Sequence, residues 1–307
     1  MNALSDDSFP LDVYADNIEL ALSKLAHRLR AGSLALMLGA GVSSGIGLPS
    51  WWKLVKACCD AVACHSDDID DKMSNETLRG RIDDVARMAG ASYLQVVSDC
   101  LHGHVEYTDT IIQKPLLIAL GALMMGSRRG RIRNVVTFNF DDVLEWYLDL
   151  HGFTTQVVDA IPALLREEDL LVYHQHGFLP KNIDVYDRSL DIVFSQMSYD
   201  IRMSDAGKPW KELLEGILRS HVGLFVGLSG DDPILGPTLA STRIALNGSR
   251  ETGFWLFRRE GAKQDAARRQ RMIDRNIIPL FFDSFDDIPR FLLDLCKKAA
   301  ELSKFPK

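Results

Sequence analysis

Apolar and polar positions along the chain alternate between two patterns. Short runs of consecutive apolar residues, LALML (34–38), NVVTF (134–138), VGLFVGLS (222–229), GFWLFR (253–258) and IIPLFF (277–282), read as buried strands. FTTQVVD (153–159), LLVYHQ (170–175) and DIVFS (191–195) are further strand candidates. Between them lie segments with apolar residues at helical spacing: 16–31, DDVLEWYLDLHG, GKPWKELLEGILRSH (207–221), a stretch opening at DDP (231–233), AKQDAARRQRMIDRN and the C-terminal DDIPRFLLDLCKKAAELSK. Strands alternating with helices predict an α/β fold, Rossmann-like, whose mainly parallel sheet carries helices on both faces. From 53 to 130 only helical patterns occur, so this stretch is expected to be a helical insertion or subdomain within a single domain spanning 1–307. PLLIALGALMMG (115–126) is too short to span a bilayer and reads as a buried helix.

Composition adds limits. The chain has 307 residues, 47% hydrophobic and 25% charged, with a net charge of −7. That balance suits a globular protein and argues against a general nucleic-acid binder. The arginine runs SRRGRIR (127–133) and RRQRMIDR (268–275) read as solvated faces or a subunit contact. Five cysteines without a CxxC pair suit neither a disulfide framework nor a four-cysteine zinc site, and no metal is expected. The acidic start MNALSDDSF does not resemble a signal peptide, so a cytoplasmic location is expected.

Four polar clusters fall at predicted strand ends, where open parallel sheets bind ligands. In GAGVSSGIGLPSWW (39–52), Gly39 and Gly41 would let the backbone approach a diphosphate, and Ser43 and Ser44 offer hydroxyls. The GxGxxG spacing fails, because the third position after Gly41 is Ser44. In TFNFDD (137–142), continued strand alternation would put Asn139 and Asp141 on one side, with helix capping as the other reading of the aspartates. In YHQHGF (173–178), His176 is placed to act as a base, and His174 would share its face. In FVGLSGDDP (225–233), Ser229 would meet phosphate or ribose, and Asp231 or Asp232 a ribose hydroxyl or a helix start.

Taken in order, GAGVSSGIGLPSW, TFNFD, HG and GLS resemble the sirtuin family, from Leu34 to about Asp283. The resemblance implies NAD as substrate. Gly39, Ala40, Gly41 and Ser43 would hold its diphosphate, and Pro49 and Trp51 would belong to a flexible loop over the nicotinamide ribose. Asn139 would order the attacking water, Asp141 would hold the carboxamide and His176 would be the base. Gly227 and Ser229 would contact the adenosine side, with Arg258 and Asp283 as adenine candidates by position. The paired CxxC zinc module of deacylating sirtuins is missing, and Trp51-Trp52 replaces their Phe-Arg pair. Both departures look like the bacterial sirtuin-like effectors that hydrolyse NAD in antiphage defence. That branch implies NAD+ glycohydrolase activity, a homo-oligomer, and a separate sensor such as a HerA-type ATPase or an Argonaute. A non-catalytic NAD or ADP-ribose sensor and a protein deacylase are the alternatives.

Overall fold

The computed structural model describes residues 10–103, 105–127, 129–183 and 191–302. The N-terminal MNALSDDSF and Arg128 of the first arginine run lie outside them. Two helices, α1 (Leu11–Asp16) and α2 (Ile18–Arg30), precede β1 (Leu34–Leu38). The expected single helix over 16–31 is split at Asn17, whose side chain accepts the Leu20 N–H and caps α2. There follow α3 (Trp51–Ala61), α4 (Asn75–Ala89), α5 (Tyr93–His102), α6 (Asp109–Ile112) and α7 (Pro115–Met124). Then come β2 (Asn134–Thr137), α8 (Val143–Leu150), β3 (Thr155–Val158), β4 (Leu170–His174), α9 (Gln196–Met203) and α10 (Lys208–Ser220). The chain continues through β5 (Val222–Val226), α11 (Leu235–Leu246), β6 (Gly253–Arg258), α12 (Ala262–Asp274), β7 (Ile277–Phe282) and α13 (Asp287–Leu302).

The strands form one sheet in the order β3-β4-β2-β1-β5-β6-β7, every pair parallel. The apolar runs are explained by burial on both faces. Leu34, Leu36 and Leu38 of β1 face a core shared with α2, α7, α8 and α13, while Ala35 and Met37 face a second core beneath α10, α11 and α12. The Rossmann-like α/β fold is as expected. DIVFS is not a strand: only Ile192 pairs, in an isolated bridge to Gly177. Its apolar side chains Ile192 and Phe194 are buried against helices instead, in a third core with Leu54, Val55, Ile82 and Leu101 of α3, α4 and α5. Within the 53–130 stretch, α7 packs with α13 in the first core, whereas α3, α4 and α5 share the third.

The chain leaves β1 toward β2 on one side and later returns to β5 on the other. The loops after β1 and β5 therefore border the crevice where strand order reverses, the usual ligand position in such sheets. Trp255, fully buried and stacked on Phe225 with ring centroids 4.6 Å apart, donates its indole N–H to the Leu228 carbonyl at 3.0 Å. The core thus anchors the loop after β5. Among the described residues no helix is long and apolar enough to cross a membrane. Of the second arginine run, Arg269 pairs with Asp12 and Asp16 of α1, and Arg268 with Glu260.

Candidate active site

A cavity of about 600 Å³ opens at this crevice. Gly39, Ala40, Gly41, Ser43, Pro49, Trp51, Asn139, Asp141, His176, Gly227 and Ser229 all line it. Its floor is made by two loops in backbone contact. The Gly39 N–H donates to Val226 O at 3.1 Å, and the Gly41 N–H to Gly227 O at 2.9 Å. A Cβ on Gly39 would lie 2.6 Å from Gly227 O, and one on Gly41 2.7 Å from Gly227 Cα. Gly227 itself has a φ of +72°. Close approach of the two loops by itself requires glycine at these positions.

One wall is built around Ser43. β2 ends at Thr137, so strand alternation does not carry as far as Asp141; a loop brings the two polar groups together. Ser43 Oγ donates to the Asp141 carboxylate at 2.9 and 3.0 Å and accepts from Asn139 Nδ2 at 3.2 Å. Asn139 Nδ2 also lies 3.3 Å from Gly39 O. Asp141 Oδ1 also accepts the Val143 N–H at 3.3 Å in a turn before α8, while Asp142, at the N-cap position, makes no side-chain cap hydrogen bond. Burial pushes the Asp141 carboxyl up to about 6, partly opposed by the Ser43 hydrogen bond and reinforced by nearby Glu145.

His174 does not line the cavity with His176: β4 ends at His174, so the alternation that would put both on one face does not carry into the turn that holds His176. His174 Nε2 lies 2.8 Å from Glu145 Oε1 and its Nδ1 3.1 Å from Asn139 O. Burial opposes an imidazolium here, but Glu145 more than offsets it and the pKa is raised. Both ring nitrogens face acceptors, which is the arrangement of a charged, doubly donating ring bracing the backbone of Asn139.

His176 is 2% exposed, between Phe138 and Tyr199, with ring centroids 5.3 and 5.1 Å away. The turn that follows needs glycine: Gly177 has φ +88°, and a Cβ there would sit 1.9 Å from Asp191 O. His176 Nε2 is 2.9 Å from Asp232 Oδ2, but the ring N–H is out of line, and neither ring nitrogen makes a hydrogen bond. Burial, then Arg202 and His174, hold the His176 pKa down at about 3. Asp232 Oδ1 accepts the Ile234 and Leu235 N–H groups at 2.9 and 3.1 Å at the start of α11. Burial raises its carboxyl to about 6, against these hydrogen bonds, Arg79 and the Tyr199 hydroxyl.

The sequence motifs miss Tyr199 of α9 and Asn75 and Arg79 of α4, which also line the cavity. The Arg79 guanidinium lies 4.8 Å over the Tyr199 ring, and its Nε donates to Gln196 Oε1 at 2.9 Å. On a polar helix nothing in the sequence separates such an arginine from a solvated one; the tyrosine stands in no motif. Arg258 and Asp283 are not brought into the cavity. Arg258 lies over Phe285, and Asp283 pairs with Arg259. Among the described residues no group of three or more His, Cys, Asp or Glu is placed to hold a metal ion.

These motifs stand at the switch point of a Rossmann-like sheet, and residues 133–280 match the SIR2-like domain. The resemblance in the motifs to the sirtuins is thereby borne out. Over 259 residues the chain is 24% identical to the NAD(+) hydrolase ThsA of Bacillus cereus (strain MSX-D12), covering 81% of this chain and 48% of that protein. The chain spans about half the length of that relative.

Proposed function

We propose that this protein is an NAD+ glycohydrolase that cleaves NAD+ to nicotinamide and ADP-ribose, and that it serves as a gated effector of bacterial antiphage defence by depleting cellular NAD+. The observation that carries the reading is Ser43 tying Asn139 and Asp141 into one wall of a cavity that His176 also lines. The cavity volume falls within the roughly 300–1,000 Å³ of ordinary small-molecule sites. Likeness to a named NAD(+) hydrolase supports it.

In this reading the bond from nicotinamide nitrogen to ribose C1′ breaks, and its electron pair returns to the ring. The departing nicotinamide is neutral, so no acid is required. Water adds to C1′ and loses one proton. Asp141 holds the carboxamide, Asn139 places the water, and the polar groups at His176 receive the proton. Placement and general-base assistance each account for several kcal/mol in such reactions, on the order of 3–6 for the base. Unchecked hydrolysis would harm the host, which calls for a gate; self-association or a separate sensor protein fits that need.

Nicotinamide release from NAD+ by the purified protein tests the reading, with Asn139→Ala and His176→Ala each expected to lose at least about 100-fold. No release, alone or with neighbouring gene products, sinks it. Binding without turnover is the second reading, favoured by the burial of both His176 ring nitrogens. Nucleotide recovered intact after long incubation would establish it.

A further inference from the structure

His176 is a poor candidate for the final proton acceptor in this state. Both of its ring nitrogens are closed off from solvent, and Arg202 adds a positive charge nearby. An imidazolium formed there is costly unless paired. Asp232 is differently placed. Its Oδ1 is committed to the start of α11, but Oδ2 is free of that cap and stands 2.9 Å from His176 Nε2. Its side chain keeps 14% exposure and lines the cavity, against 2% for His176. Tyr199 hydrogen-bonds to the same carboxylate, and Arg79 bears on it from α4.

We propose that Asp232 is a catalytic residue of this site, the cavity-facing acceptor of the proton from the attacking water, with His176 and Tyr199 as the positioning residues that orient its carboxylate. This rests on the NAD+-cleaving reading. As the water oxygen bonds to ribose C1′, its O–H bond breaks and the proton passes to Asp232 Oδ2, then to solvent. Neutral His176 carries its own proton on Nε2, 2.9 Å from Oδ2, and changes charge at no step. A carboxylate whose pKa is raised toward neutrality is suited to this work. The titratable or charged groups that face it are His176, Tyr199 and Arg79.

Asp232→Asn separates this role from capping, because the amide oxygen can still accept from Ile234 and Leu235. The expected result is a kcat at least about 100-fold lower, loss of the acid limb that the wild type should show near pH 6, and ADP-ribose affinity within about threefold. A kcat within threefold of wild type, an unchanged acid limb, or an equal fall in ADP-ribose affinity overturns the proposal. Nitrogen NMR of the His176 ring reads the pair without turnover. Wild type should hold the proton on Nε2. In Asp232→Asn the amide nitrogen replaces Oδ2 and donates, so the proton should move to Nδ1. A wild type that never releases nicotinamide refutes the parent reading alone; the same tautomer in both proteins refutes this one.

Discussion

The Ser43 hydroxyl donates to the Asp141 carboxylate at 2.9 Å, linking the turn after β1 to the start of α8 across 98 positions of sequence. Ser43→Ala leaves a buried carboxylate with only the Val143 N–H among these partners and the Asn139 amide with only Gly39 O. Stability should fall by about 1–3 kcal/mol in urea denaturation. Nicotinamide release should fall about 10–100-fold, since Asn139 and Asp141 lose their common partner.

The floor tolerates no side chain. Gly41→Ala would place a methyl 2.7 Å from Gly227 Cα, where only backbone movement can relieve the clash. The expected cost is about 1–3 kcal/mol, read as a lower melting temperature, with ADP-ribose binding weakened as the loops part.

Trp255→Phe keeps most of the stacked surface on Phe225 but removes the donor to Leu228 O. Leaving that carbonyl without its partner should cost about 1–3 kcal/mol. Because Leu228 adjoins Gly227 and Ser229, hydrogen exchange should rise in the loop after β5 more than in the strand itself.

The pH dependence of Asp141 has a definite sign. Its folded pKa, about 6, lies above the ordinary 3.8, so the folded state binds the proton more tightly. The stability this contributes is present below about pH 4 and is lost as pH rises through about 6. Asp141→Asn cannot lose it. The variant should therefore gain on wild type between pH 4 and pH 7, by on the order of 3 kcal/mol at 1.36 per pKa unit. Urea denaturation of both proteins at the two pH values measures the difference; a constant gap would contradict it.

The sheet was legible because its strands are buried on both faces and bounded by glycine, so LALML, VGLFV and GFWLFR carry their own signal. DIVFS carries the same signal for another reason: its apolar residues are buried against helices, and composition cannot tell the two apart. The site was legible wherever it hangs directly from a strand end. Asn139, Asp141 and His176 each stand within four residues of a strand terminus. Tyr199 and Arg79 come from helices distant in sequence, and only tertiary packing brings Tyr199 against His176 and Arg79 over Tyr199. Arg258 and Asp283 also end strands, yet they turn to Phe285 and Arg259 instead of the crevice. Position at a strand end selects a rim; it does not select the part of the rim at the switch point.

The contact of Gly39 and Gly41 with Gly227 has an evolutionary consequence. The floor of the cavity is fixed by backbone against backbone and cannot drift without losing the sheet's central junction. The opposite boundary, where Trp51, Asn75, Arg79 and Tyr199 stand, is made of side chains carried by α3, α4 and α9, which belong to none of the strands. Substrate preference can diversify there residue by residue while the chemistry beneath stays constant, so divergent relatives should keep the three glycines and differ chiefly in these helices.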